Sequence, residues 1–174
     1  ETAFMSDQAL SEAVAHFRAG EAESHRTGGK LWSVFATACD VSEERYLKLI
    51  VARLATYLQI PRYGEALVNV NGWDMDTLKS FRSAPIVAGM AGAIDSVASY
   101  AELAEIEKLI PKEWRPAAVG DAKACAQRWL DQFNAGADGI IIHASTPEEF
   151  APVLDEYERI RPAELFVQRT NRPG

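Results

Sequence analysis

The amino-acid sequence predicts an α/β fold in which a parallel sheet lies under helices. Residues 116–145, PAAVGDAKACAQRWLDQFNAGADGIIIHAS, read as strand, loop, helix and strand, the crossover that joins two parallel strands. Residues 30–39, KLWSVFATAC, carry β-branched and aromatic residues with little charge, as a strand buried on both faces would. Each strand pattern is followed by a helical one, and that alternation implies a parallel sheet covered by helices.

At the start, Glu1–Phe4 has neither cap nor lead-in and is expected to be the end of an element that began earlier. Ser6 and Asp7 cap a helix to about Glu23, with Leu10, Val14 and Phe17 on one stripe, and Thr27-Gly28-Gly29 stops it. The strand of residues 30–39 follows. From Ser42, SEERYLKLIVARLATYL has a Ser cap, acidic residues in its first turn, and apolar residues at Tyr46, Leu47, Ile50, Leu54 and Leu58, a strong helix signal. After Pro61 come shorter helical pieces near 63–69, 74–82, 85–91 and 93–109, closed by Ile110-Pro111. Residues 42–110 are therefore expected to form an inserted helical region. A short strand at Ala117–Val119 leads to a helix from Asp121 to about Asn134, a Gly136 C-cap, and a strand at Gly139–His143. The last helix opens at Thr146-Pro147-Glu148-Glu149, with Thr as N-cap and Pro at the first helical position, and Pro162 ends it.

The chain has 174 residues, 48% hydrophobic and 25% charged, which suits one ordinary globular domain. Its net charge of −7 disfavours nucleic acid or an anionic membrane surface as partner. Arg159, Arg161, Arg169 and Arg172 recur near the end, but Glu156, Glu158 and Glu164 are mixed among them, as on a solvated face. No apolar run approaches a membrane span, and Asp7, Glu12 and Arg18 make the first twenty residues unlike a signal peptide, so a cytoplasmic protein is expected. Cys39 and Cys125 lack metal-ligand spacing and are read as buried apolar residues; His16 and His25 are read as surface residues. Three strands, or four if Glu1–Phe4 ends one, make about half of a closed eight-stranded barrel, which needs about 250 residues, or else a small open sheet.

YLQIPRYGEALVNVNGWD (57–74), LIPKEWRPAAVGDAKACAQRW (109–129) and AGADGIIIHASTPEEF (135–150), taken in order, resemble the C-terminal half of luciferase-like monooxygenases, closest to their F420-dependent oxidoreductases. Each motif alone is weak; the ordered set is more specific, and the match runs from about Phe4 to Pro162. The resemblance implies a partial (β/α)8 TIM barrel. Glu1–Phe4 would end strand five, Leu31–Ala38 would be strand six, Ala117–Val119 strand seven and Gly139–His143 strand eight. It implies coenzyme F420, or alternatively FMN, and a small organic substrate. It also implies that the flavin-facing first half lies outside these residues, so that the chain alone would be inactive.

Barrel enzymes place their chemistry at the C-terminal ends of the strands, which here means Thr2 and Ala3, Cys39 and Asp40, Gly120 and Asp121, and His143 to Ser145. His143 ends an Ile-Ile-Ile strand and is the candidate catalytic residue, as a hydrogen-bond or proton donor, against a histidine simply bonded to a loop. Thr2, Gly120 and Ser145 are the candidate cofactor-binding residues, and no metal site is expected. Gly120 can equally serve the turn, with Asp121 capping the next helix and repelling a phosphate there. Trp32, Trp73, Trp114 and Trp129 read as packing anchors. Arg62 and Arg82 flank the inserted helices and could meet an anionic substrate or cofactor tail, although solvated surface arginines are commoner. A rival reading is a non-catalytic half-barrel that self-associates through its sheet edges, and a homo-oligomer is expected on either reading. An aldolase-like barrel would want a lysine at a strand end, and no strand here has one.

Overall fold

The computed structural model describes residues 3–143 and 145–166. Helix α1 (Asp7–Glu23) starts where expected: extended Ser6 accepts from the Ala9 N–H at 3.2 Å. Strand β1 is Trp32–Cys39. Helix α2 (Glu43–Tyr46) then runs through a π-helical turn, Leu47–Ala52, into α3 (Arg53–Gln59). Five short helices follow, α4 (Tyr63–Asn71), α5 (Met75–Ser83), α6 (Pro85–Ala88), α7 (Ile94–Val97) and α8 (Tyr100–Glu107). Strand β2 (Ala118–Gly120), helix α9 (Ala122–Asn134), strand β3 (Gly139–His143) and helix α10 (Pro147–Ile160) complete the order. No helix among the described residues is long and apolar enough to cross a membrane.

The three strands are parallel in the order β2-β1-β3. Strand β1 pairs with β3 from Trp32↔Gly139 to Ala36↔His143, and with β2 from Thr37↔Ala118 to Cys39↔Gly120. This corrects the expectation of a partial barrel of strands five to eight. In a barrel, consecutive strands are neighbours, so 117–119 would lie beside 139–143; here Trp32–Cys39 lies between them. Of the expected end of strand five, Glu1 and Thr2 lie outside the described residues, while Ala3 and Phe4 lie in a bend and Phe4 has φ 65°, outside the β region. The protein is mostly helical (62%) around one small sheet.

Side chains of β1 alternate strictly between two cores. Phe35 and Cys39 point to α9 and α10, packing with Cys125, Trp129, Phe133, Val153 and Tyr157. Val34, Ala36 and Ala38 point to the helical layer, against Leu47, Ile50, Leu54 and Leu58. The two polar residues on the α9 side are satisfied. Ser33 Oγ donates to Gln132 Oε1 at 2.9 Å, and Trp129 Nε1 donates to Thr37 Oγ1 at 3.0 Å. Gln132 Nε2 continues to Asp7 Oδ1 at 2.8 Å, and Arg128 grips both oxygens of Asp7 at 2.9 Å. A polar chain, buried at Ser33 and Gln132 and reaching solvent at Asp7, thus joins β1 through α9 to the start of α1.

Just before β1 begins, Asp138 Oδ2 accepts from the Leu31 N–H at 2.9 Å and from Arg18 at 2.6 Å, while its own N–H donates to the Leu31 carbonyl at 2.8 Å. Next to it, Gly139 is required by contact: a Cβ there would sit 2.7 Å from Trp32 Cε3. Gln132→Ala is expected to strand the buried Ser33 hydroxyl, while Asp7 keeps both its bonds to Arg128, and to destabilise the fold by about 1–3 kcal/mol. Urea denaturation checks this, and an unchanged midpoint would show the polar chain to be dispensable.

Candidate functional site

Because the strands are parallel, their C-terminal ends face the same way. Strand β1 ends at Cys39, paired with Gly120 at the end of β2. Asp40, at φ 47°, turns the chain, and its N–H donates to the Gly120 carbonyl at 2.9 Å. Gly120 has φ +128°, a conformation side-chain-bearing residues rarely take, and Asp121 caps α9 by accepting from the Ala124 N–H at 2.7 Å. After β3, Ser145 Oγ donates to the Thr37 carbonyl, folding the loop over β1. That loop is held from the helical side. Glu149 accepts from Arg45 Nε and Nη2 at 2.6 and 2.9 Å and from the Thr146 N–H at 2.8 Å, which draws its carboxyl down to about 2. Of the residues predicted to bind a cofactor, Gly120 and Ser145 therefore both make backbone-ordering contacts at this edge. Thr2 lies outside the described residues.

Folding also brings together the two cysteines that the sequence left apart. Cys39 and Cys125 are buried with their thiols in contact, and Cys125 Sγ lies 3.7 Å from the Gly120 carbonyl. Burial pushes the Cys125 thiol up to about 12 and raises Cys39 too, so both stay protonated and poorly nucleophilic.

His143 lies on the other face of the sheet, in a different setting. Its half-buried ring stands edge-on to Phe4, centroids 6.3 Å apart at 77°. Phe4 in turn meets Tyr57 at 6.0 Å, and Tyr57 meets Tyr63 at 4.9 Å. The left-handed turn at Phe4 is held by Asn71, which donates to the Phe4 carbonyl at 3.1 Å and accepts from the Ser6 N–H at 2.7 Å. Arg53 lies over the Tyr57 ring at 5.9 Å and pairs through Nη1 with Asp95 Oδ2 at 2.8 Å. Asp95 is placed by its own N–H, which donates to Thr56 Oγ1 at 2.9 Å.

Within this cluster, His143 Nδ1 is buried with no hydrogen-bond partner. Burial, and next the nearby Arg53 cation, lower the His143 pKa, so the imidazole is neutral at pH 7. Arg53 was not among the residues predicted from sequence, because a single arginine in the apolar run LIVARLATYL looks like a solvated position. The arginines that were singled out behave otherwise. Arg82 is consumed by Glu65 and by the carbonyls of Leu58 and Ile60, and Arg62 is exposed ahead of α4. Trp73 stacks on Trp114 at 4.8 Å, a packing role.

A cavity of about 370 Å³ opens among Pro85, Ile86, Met90, Val97 and Glu102, and no strand-end residue lines it. Among the described residues no group of three His, Cys, Asp or Glu is placed to hold a metal. Comparison with family models, curated proteins and solved structures finds no match for the chain.

The His143 environment gives a pH dependence with a definite sign. With the folded value below the ordinary 6.5, the unfolded chain binds more protons between the two values. The contribution to stability is therefore complete above pH 6.5 and is lost as pH falls through the lowered value. An NMR titration of the His143 ring should show a midpoint below 6.5 that moves upward in Arg53→Gln; an unmoved midpoint would remove Arg53 from the cluster.

Proposed function

We propose that the chain belongs to an oxidoreductase that uses coenzyme F420, or alternatively FMN, on a small organic substrate, and that it works in the cytoplasm. The observation that carries this reading is His143 Nδ1, a buried and unpartnered nitrogen at the end of a parallel strand. In open α/β sheets ligands bind outside the carboxyl ends of the strands. The ordered set of motifs from Tyr57 to Phe150 supports the choice of cofactor. The donor set also fits a flavin-type ring: a neutral imidazole, aromatic faces at Phe4, Tyr57 and Tyr63, and one guanidinium.

Such a cofactor, when bound, supplies the hydride chemistry. The chain supplies the setting. His143, neutral at pH 7, is suited to accept a proton from a substrate hydroxyl as that substrate is oxidised, or to donate one hydrogen bond to a carbonyl oxygen. Phe4, itself backed by Tyr57, excludes water from one side of the imidazole. Ser145 and Gly120 order the backbone of the rim where the cofactor would lie.

Spectral titration with F420 and with FMN tests the reading without requiring turnover. Saturable quenching of the cofactor's fluorescence is expected, weakened in His143→Ala, and no change with either cofactor would sink the proposal. A second reading is favoured by Ile141 and Val119, which are 50% and 46% exposed on the two outer strands of the sheet. Outer strands carry unpaired N–H and C=O groups that can recruit another copy, so the chain would act as a self-assembling module. On that reading, sedimentation of the parent chain gives a dimer or larger species and Ile141→Lys shifts it to monomer. A parent chain that sediments as a monomer excludes it.

A further inference from the structure

Arg53 is a cation with donors to spare. Its Nη1 is taken by Asp95 and its plane lies over Tyr57, while Nε and Nη2 have no hydrogen-bond partner among the described residues. Those two atoms form the side-on edge of the guanidinium, whose paired N–H groups match the two oxygens of a carboxylate. Elsewhere in this protein the same edge is filled in that way, where Arg45 Nε and Nη2 meet Glu149 at 2.6 and 2.9 Å. At Arg53 no described residue fills it. The side chain is 41% exposed, so a ligand can reach it, and Asp95 at 20% exposure holds the guanidinium in place.

The guanidinium lies 5.9 Å over one aromatic face, that of Tyr57, and Tyr57 leads on to a row of further rings. Tyr57, Tyr63 and His143 are each half-buried around the fully buried ring of Phe4, with neighbouring centroids between 4.9 and 6.3 Å apart. A small inorganic anion would use the guanidinium and leave these faces unused. A planar ring carrying a carboxylate would use both, since aromatic faces attract ring edges and faces at such spacings.

We infer that Arg53, Tyr57 and His143 form a subsite for a ring-borne carboxylate, its two oxygens meeting the Nε–Nη2 edge of Arg53 and its ring lying against the aromatic cluster. The subsite rests on the oxidoreductase reading only for calling its occupant a substrate; binding itself needs no cofactor. Among the described residues, the charged group acting on His143 is Arg53 from α3, which is paired with Asp95 from α7, while Phe4 and Tyr57 are neutral there. An arriving carboxylate offsets the repulsion from Arg53, so His143 becomes easier to protonate when the subsite is filled.

Benzoate is the probe, titrated into the whole chain at pH 7 and followed by calorimetry and by the His143 ring resonances. Saturable binding is expected, with the His143 midpoint rising. Arg53→Gln should weaken binding about ten-fold or more, and Arg53→Lys, which keeps the charge beside Asp95 but not the planar fork, should do the same. Benzamide tests the charge and acetate tests the ring; each should bind more weakly than benzoate. The inference is overturned if benzoate fails to saturate by tens of millimolar, if both Arg53 variants bind it like the parent, or if benzamide or acetate equals it. Thermal melts confirm that the variants fold, and if Arg53→Gln does not, Arg53→Lys decides. A failed F420 or FMN titration leaves this outcome standing, because no arm of it contains a cofactor.

Discussion

The double-sided burial of β1 is the constraint on which the rest of the structure depends. A central parallel strand has no solvent face, so each residue must be matched by a partner from one of two different helical layers. Apolar matching is easy on the side of Val34, Ala36 and Ala38, where small residues let the long helical run approach the sheet. On the opposite side, Ser33 and Thr37 are polar and almost fully buried, and α9 must arrive in the one register that gives both of them a partner. Buried polar groups left without partners are costly, whereas apolar contacts tolerate sliding. The polar pairs therefore act as the register pins of the α9–sheet interface, while the apolar side supplies bulk.

Much of the local structure was legible in the sequence because its signals are local. The caps Ser6, Ser42, Asp121 and Thr146 all accept from the expected backbone N–H groups, and the strand at 139–143 lies where Ile-Ile-Ile placed it. Strand order was not legible. The unit of residues 116–145 looks the same whether its two strands are neighbours or have a third between them, and only a contact such as Leu31 with Asp138, 107 residues apart, decides. The barrel expectation failed at that point. The Ala-Gly-Ala-Asp stretch illustrates the limit: its aspartate joins the starts of β1 and β3, a role no local pattern announces.

The candidate site divides the same way. His143 could be singled out as a candidate because strand ends are where α/β proteins place chemistry, and its position needs no long-range information. Arg53, Asp95 and Phe4 come from three other parts of the chain, and their meeting depends on Asn71 holding a bend at the N-terminal end and on Thr56 holding α7. The contact between Cys39 and Cys125 likewise joins β1 to the first turn of α9. In each case the residue types were visible and the neighbourhood was not.

The π-helical turn at Leu47–Ala52 bears on how this site tolerates change in chain length. Such a turn carries one residue more than an α-helical turn, and it lies immediately before Arg53. The bulge absorbs that extra residue, so the faces on either side stay aligned: Leu47 and Ile50 within it and Leu54 and Leu58 after it all reach one core. Removing a single residue from the turn would let the segment close to regular α-helix with Leu54, Leu58 and Arg53 still on their present faces. Adding a residue with nothing left to absorb it would instead rotate everything downstream by about 100° and advance it by about 1.5 Å, turning Arg53 away from His143. The segment is thus built to lose one residue without harm and not to gain one.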